Sequence, residues 1–172
     1  TDWFYRHFVV THPMSVVIGG VRESLPEGEL WTKFAAEFVL LNAGLYTRTG
    51  KKQYLDRARQ SAMFLIQSTR HDFAPKYDTR LNAWRELGWQ SFGRVIEAFL
   101  ILEDVTGEPS WRDLALRWGD YGLSLLADDG GLYLIDDDYF NTDIAADELR
   151  AFVFLHELTG QAKYLTAAER FA

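Results

Sequence analysis

Three consecutive carboxylates, Asp136, Asp137 and Asp138, stand close to Tyr139 and Asn141 in the segment 127–142. Crowded carboxylates repel one another, so at least one of them is expected to hold its proton more tightly than an isolated acid. A carboxylic acid beside an ionised carboxylate is the pair that performs acid–base chemistry on glycosidic bonds. The run therefore predicts catalytic acids, with Tyr139 and Asn141 as substrate-binding neighbours.

Two other interpretations of this acidic run stay open. A divalent cation would also relieve the repulsion, because carboxylates, amides and water are its usual oxygen ligands. The run equally fits a solvated turn, with Asn141 as the cap of a following helix. Its spacing matches neither an EF-hand loop nor an Asp-Asp-x-x-Asp motif, since the required closing acids are absent. The sequence therefore predicts no metal site, and without a phosphate-binding glycine-rich loop it predicts no cofactor.

A second segment, 69–88, carries aromatic, cationic and imidazole side chains: His71, Tyr77, Arg80, Trp84 and Arg85. Flat rings suit the apolar C–H face of a sugar, and forked guanidinium groups suit its polar substituents. Tyr77 and Trp84, together with Tyr139, are predicted to stack on a sugar. Arg80 and Arg85 are predicted to clamp a carboxylate, which favours a uronic acid, and His71 is the candidate auxiliary base. In the alternative, Trp84 fills the end of the core and Arg85 forms a local ion pair.

A repeated pattern, Leu-x3-Thr-Gly-x3-aromatic-x3-Ala, indicates the elements that position these segments. It occurs at 45–58, 102–115 and 155–168, and its glycines lie 57 and 53 residues apart (107 − 50 and 160 − 107). A Thr-Gly pair fits the end of a helix, because glycine tolerates the left-handed conformation found there. The aromatic residue and the alanine four positions later share one face of the next helix. The repeat therefore predicts three helical hairpins.

The apolar spacing on both sides of each turn supports an all-α fold of stacked antiparallel hairpins. The predicted helices cover residues 30–48, 53–68, 90–105, 110–126 and 143–158, with a last one from about 161. Residues 1–29 are predicted to form an irregular segment, with an extended stretch at 16–20. Since consecutive helices are antiparallel, the three turns lie at one end of the stack and both long connectors lie at the other. Long loops on a helical frame are a usual place for binding residues.

The composition excludes several classes of protein. The 172 residues carry 18 Lys+Arg against 25 Asp+Glu, for a formal net charge of −7, so a nucleic-acid partner is not expected. The chain has no Cys, which excludes disulfides and thiolate metal sites. Its apolar runs are far shorter than the roughly 20 residues that cross a bilayer, so no membrane contact is predicted. The compartment is left undetermined.

The hairpins with Thr-Gly turns, the Tyr-Leu-x-x-Ala sequences that follow two of them, and the Gly-Gly-Leu-Tyr connector at 130–133 resemble a known group. They are similar to the (α/α) toroids of six-hairpin glycosidases, in particular to N-acylglucosamine 2-epimerase-like and unsaturated glucuronyl hydrolase-like chains. The resemblance covers residues 30–172. It implies a ring of hairpins that binds sugars in a central cleft, with acidic or histidine catalysts on loops at one end. No catalytic residue of the group maps onto a particular position here.

The chain differs from that group because it shows three hairpins rather than six. It is predicted to be a single domain that is part of a longer toroid, or to be completed by a second copy of itself. The predicted function is a carbohydrate-active domain that binds or cleaves an oligosaccharide or a sugar acid. The alternatives are a non-catalytic helical scaffold that binds a protein partner and, with less support, a terpenoid-cyclase-like toroid.

Overall fold

Three helical hairpins make up most of the protein in a computed structural model that describes residues 2–25, 28–85, 91–127 and 142–171. The hairpins are Thr32–Thr49 (α2) with Lys52–Arg70 (α3), Phe92–Thr106 (α4) with Ser110–Leu125 (α5), and Thr142–Thr159 (α6) with Ala162–Phe171 (α7). A short helix, Asp2–Phe8 (α1), precedes them, and three short strands are Leu30–Trp31 (β1), Lys76–Asp78 (β2) and Ala83–Arg85 (β3). The predicted all-α class and hairpin order are confirmed.

The three turns are built identically. Gly50, Gly107 and Gly160 are left-handed, with φ of 65°, 70° and 67°. The preceding threonine donates its hydroxyl hydrogen to the carbonyl four residues earlier, at 2.6 Å in every copy. The same hydroxyl oxygen accepts the backbone N–H two residues later, at 3.2–3.3 Å. Threonine therefore adds a second hydrogen bond to a carbonyl in the last turn of the first helix and satisfies one N–H just before the second helix.

Replacing Gly107 by alanine is expected to lower the free energy of unfolding by about 1 kcal/mol, because an L-residue is strained at positive φ. A Cβ would meet no atom within 4 Å, so this strain is the only cost. Gly44 is the matched control, since a Cβ there also meets nothing within 4 Å but the residue lies inside α2. Gly44→Ala is expected to raise stability by roughly 0.5–1 kcal/mol in urea unfolding. Equal effects of both changes would contradict this account.

The helices form two layers. In the inner layer α2 packs against α4, and α4 against α6. Each outer helix, α3, α5 or α7, packs mainly against its own hairpin partner. The core between the layers is closed to solvent and is lined by large side chains such as Phe64, Phe99, Trp118, Phe152 and Tyr164. This is the arrangement of a partial (α/α) toroid.

The segment before α2 is more ordered than the sequence indicates. Residues 2–8 form α1, whose Phe4 ring stacks on Phe38 of α2 with centroids 5.5 Å apart. The predicted extended stretch at 16–20 is wrong, because most of it forms turns. Isolated bridges join Val9 to Val21 and Arg22 to Leu30. The prediction failed because contacts with α2 and α3, rather than local pattern, hold this segment.

The three strands form one antiparallel sheet in the order β1-β2-β3. Leu30, Tyr77 and Trp84 lie opposite one another across it. Trp31, Lys76 and Arg85 form the adjacent row, so their side chains point to the other face. β1 leads directly into α2, and the segment predicted as a long loop supplies β2 and β3. The sheet therefore lies where the inner helices begin. No helix in the described residues is long and apolar enough to span a membrane.

Candidate functional site

The end of the stack opposite the Thr-Gly turns, called here the connector pole, brings together most of the predicted site residues that the structure describes. The inner helices begin there, and the sheet lies over the start of α2. Thr32, the first residue of α2, donates both its N–H and its hydroxyl hydrogen to the Pro75 carbonyl, at 2.9 and 3.0 Å. These bonds fix the connector 71–85 to the helical frame.

Trp84 is the centre of an aromatic group at this pole. Its ring lies 4.9 Å from Phe64 of α3, 5.5 Å edge-on from Tyr77 and 5.3 Å from the stacked imidazole of His71. Tyr77 is only 5% exposed, and burial raises the pKa of its hydroxyl, which donates to Asn82. His71 is exposed. The structure therefore joins three of the predicted residues, with Tyr77 as support beneath Trp84 and His71 at the surface.

The turn between β2 and β3 presents Arg80 to solvent. The Asp78 carboxylate accepts the N–H groups of Arg80 and Leu81, at 2.9 and 3.0 Å, and Asn82 adopts a left-handed φ of 52°. The Leu81 hydrogen bond, helped by that of Arg80 and by the charges of Arg85 and Arg80, lowers the pKa of Asp78. An ionised Asp78 thus holds the turn and the cation it carries.

A polar cavity of about 250 Å³ opens beside this turn. Glu23, Glu29, Asp78 and Arg80 supply its charged lining, so three carboxylates face one guanidinium. Lys76 on the adjacent strand lies 3.1 Å from Glu29. Ser24 and Thr79 add hydroxyl groups to the lining. The cavity can exchange hydrogen bonds with a polyhydroxy ligand, and its excess of carboxylates disfavours an anion.

A second tryptophan at this pole, Trp31, was not predicted as a site residue. It shares a sheet face with Lys76 and Arg85, and the Lys76 ammonium lies 4.7 Å from the Trp31 ring centroid. Its indole nitrogen is buried without a hydrogen-bond partner among the described residues. Sequence spacing does not find Trp31, because it becomes part of the site only through strand pairing with residues 45 positions away (76 − 31).

The inner helices carry a ladder of ion pairs, which is named here the inner ladder: Glu37, Arg94, Glu97, Asp147 and Arg150. The Arg94 Nε atom lies 3.0 Å from Glu37 of α2 and 2.9 Å from Asp147 of α6. Arg150 binds Glu97 through two nitrogens, one at 3.0 Å, and lies 3.3 Å from Asp147. Hydrogen bonding to Glu97 raises the pKa of Arg150. The ladder ties the three inner helices together in the halves nearest the connector pole.

The repeat contains the signal that would have found this ladder. Glu37, Arg94 and Asp147 all stand 13 residues before a turn glycine (50 − 37, 107 − 94, 160 − 147). Glu97 and Arg150 both stand 10 residues before one (107 − 97, 160 − 150). Charges at equivalent positions of parallel helices lie at the same height, and here their signs alternate. The ladder follows from the repeat register once adjacent packing of the inner helices is known.

Glu148, also missed by the sequence prediction, is fully buried between α4 and α6. Burial raises the pKa of its carboxyl well above the usual range, and the charges of Asp147 and Glu97 add to the rise. The hydrogen bond from the Gly93 N–H and the charge of Lys33 act in the opposite direction. The carboxyl is therefore held in its protonated form far more readily than an exposed glutamic acid.

The predicted acids Asp136, Asp137 and Asp138, with Tyr139 and Asn141, lie outside the described residues, so their place relative to Trp84 stays a prediction. Arg85 is half-buried on the sheet face opposite Trp84. In the described ranges no group of three or more His, Asp or Glu side chains is arranged to hold a metal ion.

The model of the N-acylglucosamine 2-epimerase family matches residues 22–147, which is most of the chain. The chain belongs to this family. The match spans the sheet, the polar cavity, the first two hairpins and the start of the third. The resemblance inferred from the Thr-Gly hairpins is thereby confirmed. No curated protein matches the sequence.

Solved structures agree with this N-acylglucosamine 2-epimerase family fold. An alpha-mannanase of glycoside hydrolase family 76 from Bacteroides thetaiotaomicron is 18% identical, with a TM-score of 0.67 over 99% of this chain and 51% of its own. A cellobiose 2-epimerase from Spirochaeta thermophila is 14% identical, with a TM-score of 0.65 over 99% of this chain and 48% of its own. The chain thus spans about half the length of these structures. At such identities the likeness shows the (α/α) toroid fold alone.

Proposed function

We propose that this member of the N-acylglucosamine 2-epimerase family is a carbohydrate-active domain that holds its sugar at the connector pole. The family match carries the proposal, because it covers the segments that build this pole. The names of the similar structures, a mannanase and a cellobiose 2-epimerase, also refer to enzymes that act on sugars. In this proposal the chain supplies one wall of a sugar cleft, and further hairpins or a second copy of the chain supply the other.

The side chains at the pole support a sugar ligand. Trp84, which stacks with His71, and Trp31, which contacts Lys76 on the opposite sheet face, are the aromatic groups, while Arg80, Arg85 and the carboxylates of the polar cavity offer hydrogen bonds. The cavity carries three carboxylates against one guanidinium, which favours a neutral sugar at Arg80. A uronic acid would have to be clamped by Arg85, which lies on the same sheet face as Asp78 and whose charge already acts on that carboxylate. We therefore place neutral sugars first and keep a uronate as the second candidate.

The proposed reaction is acid–base chemistry on this sugar. Asp136, Asp137 and Asp138 supply the acid and base, and His71, exposed beside Trp84, is the auxiliary base. Tyr139 and Asn141 are proposed to contact the sugar from the same connector. Hydrolysis of a glycosidic bond, with either retention or inversion of configuration, needs such a pair of groups, and so does epimerisation of a sugar carbon.

Arg80→Ala is expected to weaken sugar binding by about tenfold or more, because one charged hydrogen-bonding group is lost from the cavity. The matched control is Arg48→Ala, an exposed arginine in the last turn of α2 at the opposite end of the stack. Calorimetric titration with N-acetylglucosamine, cellobiose, mannobiose and glucuronate measures both. Equal affinities of the two variants for every sugar that the unaltered chain binds would contradict the proposed location.

Asp137→Asn separates an enzyme from a scaffold. If Asp137 is an acid or base, turnover of the bound sugar is expected to fall by about 10²–10⁴-fold while binding is retained. Chromatography of the sugar products measures turnover. If the chain converts none of these sugars but Asp137→Asn abolishes a protein complex, the scaffold interpretation is correct.

A further inference from the structure

Glu148 breaks the repeat at a position where the other two copies are apolar. Phe38, Val95 and Glu148 all stand 12 residues before a turn glycine (50 − 38, 107 − 95, 160 − 148). All three are buried, at 4%, 0% and 0% exposure. A carboxyl at such a position costs free energy unless its hydrogen bonds repay the loss of water. Its presence therefore requires a specific contact.

That contact is the beginning of α4. Glu148 Oε2 accepts the N–H of Gly93, which is one of the first-turn N–H groups that have no partner inside a helix. Ser91 is the N-cap residue of α4, and a serine at this position usually accepts a first-turn N–H. Here it makes no side-chain cap hydrogen bond, and its buried hydroxyl has no partner in the described part of the chain. Glu148 thus caps α4 from a neighbouring helix.

Gly93 is the matching exception on the other side of this contact. Its equivalents, 14 residues before the turn glycine, are Ala36 and Ala146 (50 − 36, 107 − 93, 160 − 146). A Cβ at Gly93 would lie 2.5 Å from both the Asp147 carbonyl oxygen and the Glu148 carboxylate. Gly93 and Glu148 therefore both depart from the repeat at the same contact. The missing Cβ of Gly93 leaves room for the Glu148 carboxylate, which binds the Gly93 N–H.

The contact adjoins the inner ladder directly. Gly93 precedes Arg94, and Asp147 precedes Glu148, so the height at which α4 meets α6 also determines how Arg94 meets Asp147. We propose that Glu148 is a positioning residue, which fixes the start of α4 against α6 and thereby aligns the inner wall of the sugar cleft. The sugar-binding part of this inference rests on the proposed function, whereas the helix contact does not.

The charges around Glu148 favour the neutral carboxylic acid. Lys33 of α2 is the cation that faces it, against Glu97 of α4 and Asp147 of α6. Glu148 Oε1 has no hydrogen-bond partner in the described ranges. Glutamine has nearly the same shape as the neutral acid, carries no charge and keeps a carbonyl oxygen that can accept the Gly93 N–H.

The test compares Glu148→Gln with Glu148→Leu, an apolar side chain like those of the other repeats, in the 172-residue chain. We expect Glu148→Leu to speed hydrogen exchange of the Gly93 amide by about tenfold or more and to weaken binding of cellobiose, mannobiose or N-acetylglucosamine by a similar factor. Glu148→Gln is expected to stay within about threefold of the unaltered chain in both measurements, which a requirement for negative charge would not allow.

Gly93→Ala tests the same contact from α4 and replaces Glu148→Leu if that variant does not fold. Unchanged exchange of the Arg94 amide in Gly93→Ala, or of the Gly93 amide in Glu148→Leu, would overturn the positioning role. Faster exchange with unchanged sugar affinity would also overturn it, because the contact would then be structural only. If the unaltered chain binds no sugar, the proposed function fails, and exchange alone decides whether Glu148 fixes α4.

Discussion

Replacing Arg94 by methionine is expected to lower the free energy of unfolding by about 2–3 kcal/mol. The guanidinium lies within 3.2 Å of carboxylate oxygens on Glu37, Glu97 and Asp147. Glu97 and Asp147 are 9% and 8% exposed, so losing Arg94 leaves two poorly solvated carboxylates that must share Arg150. Removing one member of a buried pair costs about 3–5 kcal/mol, and the partial exposure of Arg94 reduces this value. Urea unfolding at neutral pH measures the change.

Arg112→Met is the control for this prediction. Arg112 lies 2.7 Å from Glu103, but it is nearly half exposed and makes its ion pair near the Thr-Gly turns. Such surface pairs contribute about 0–1 kcal/mol. A double-mutant cycle with Arg94→Met and Asp147→Ala should give a coupling free energy above about 1 kcal/mol. Equal costs for the two arginines would show that the inner ladder adds no more than a surface pair.

The hairpins could be predicted from the sequence because their signals are local. A threonine, a left-handed glycine and an aromatic residue four positions on fix each turn, and the predicted 110–126 helix is Ser110–Leu125 in the structure. The same signals place both connectors at one end. The described connector, with His71 stacked on Trp84, lies at the end opposite the turns. Its convergence with Asp136, Asp137 and Asp138 stays a prediction, because these acids lie outside the described residues.

The sheet and α1 could not be predicted because tertiary contacts create them. The strand Leu30–Trp31 has two residues, and its partner Lys76–Asp78 lies far along the chain. No residue of helix α1 is buried, and the helix depends on stacking against α2 and on the Asp2–Arg57 ion pair. Trp31 likewise could not be predicted as a site residue, because only its strand pairing with Lys76 places it at the connector pole.

The inner ladder and Glu148 show a different limit of sequence reasoning. The repeat was recognised from what its copies share, whereas these residues appear only when the copies are compared position by position for differences. Alternating charge at one position and a single acid among apolar residues at the next are both visible in the sequence. Their meaning requires knowing that α2, α4 and α6 pack side by side.

The stability of the protein relative to Glu148→Gln is expected to fall as the pH rises from about 4.5. Because burial raises the pKa of Glu148 above its value of 4.5 in the unfolded chain, the native state keeps the proton over a pH range in which the unfolded state has lost it. The stabilisation is complete below pH 4.5 and is lost as the pH rises through the native pKa. Each unit of elevation corresponds to about 1.4 kcal/mol.

Glutamine cannot ionise, so Glu148→Gln should become the more stable of the two proteins at high pH. Taking the difference between them also removes the contributions of Asp78 and Asp120, whose pKa values are lowered and whose stabilisation is lost at acidic pH instead. Urea unfolding at half-unit steps from pH 4 to 9 measures this difference. A constant difference would mean that Glu148 has the same proton affinity in the folded and unfolded chains, and its burial against Gly93 would then not govern its charge.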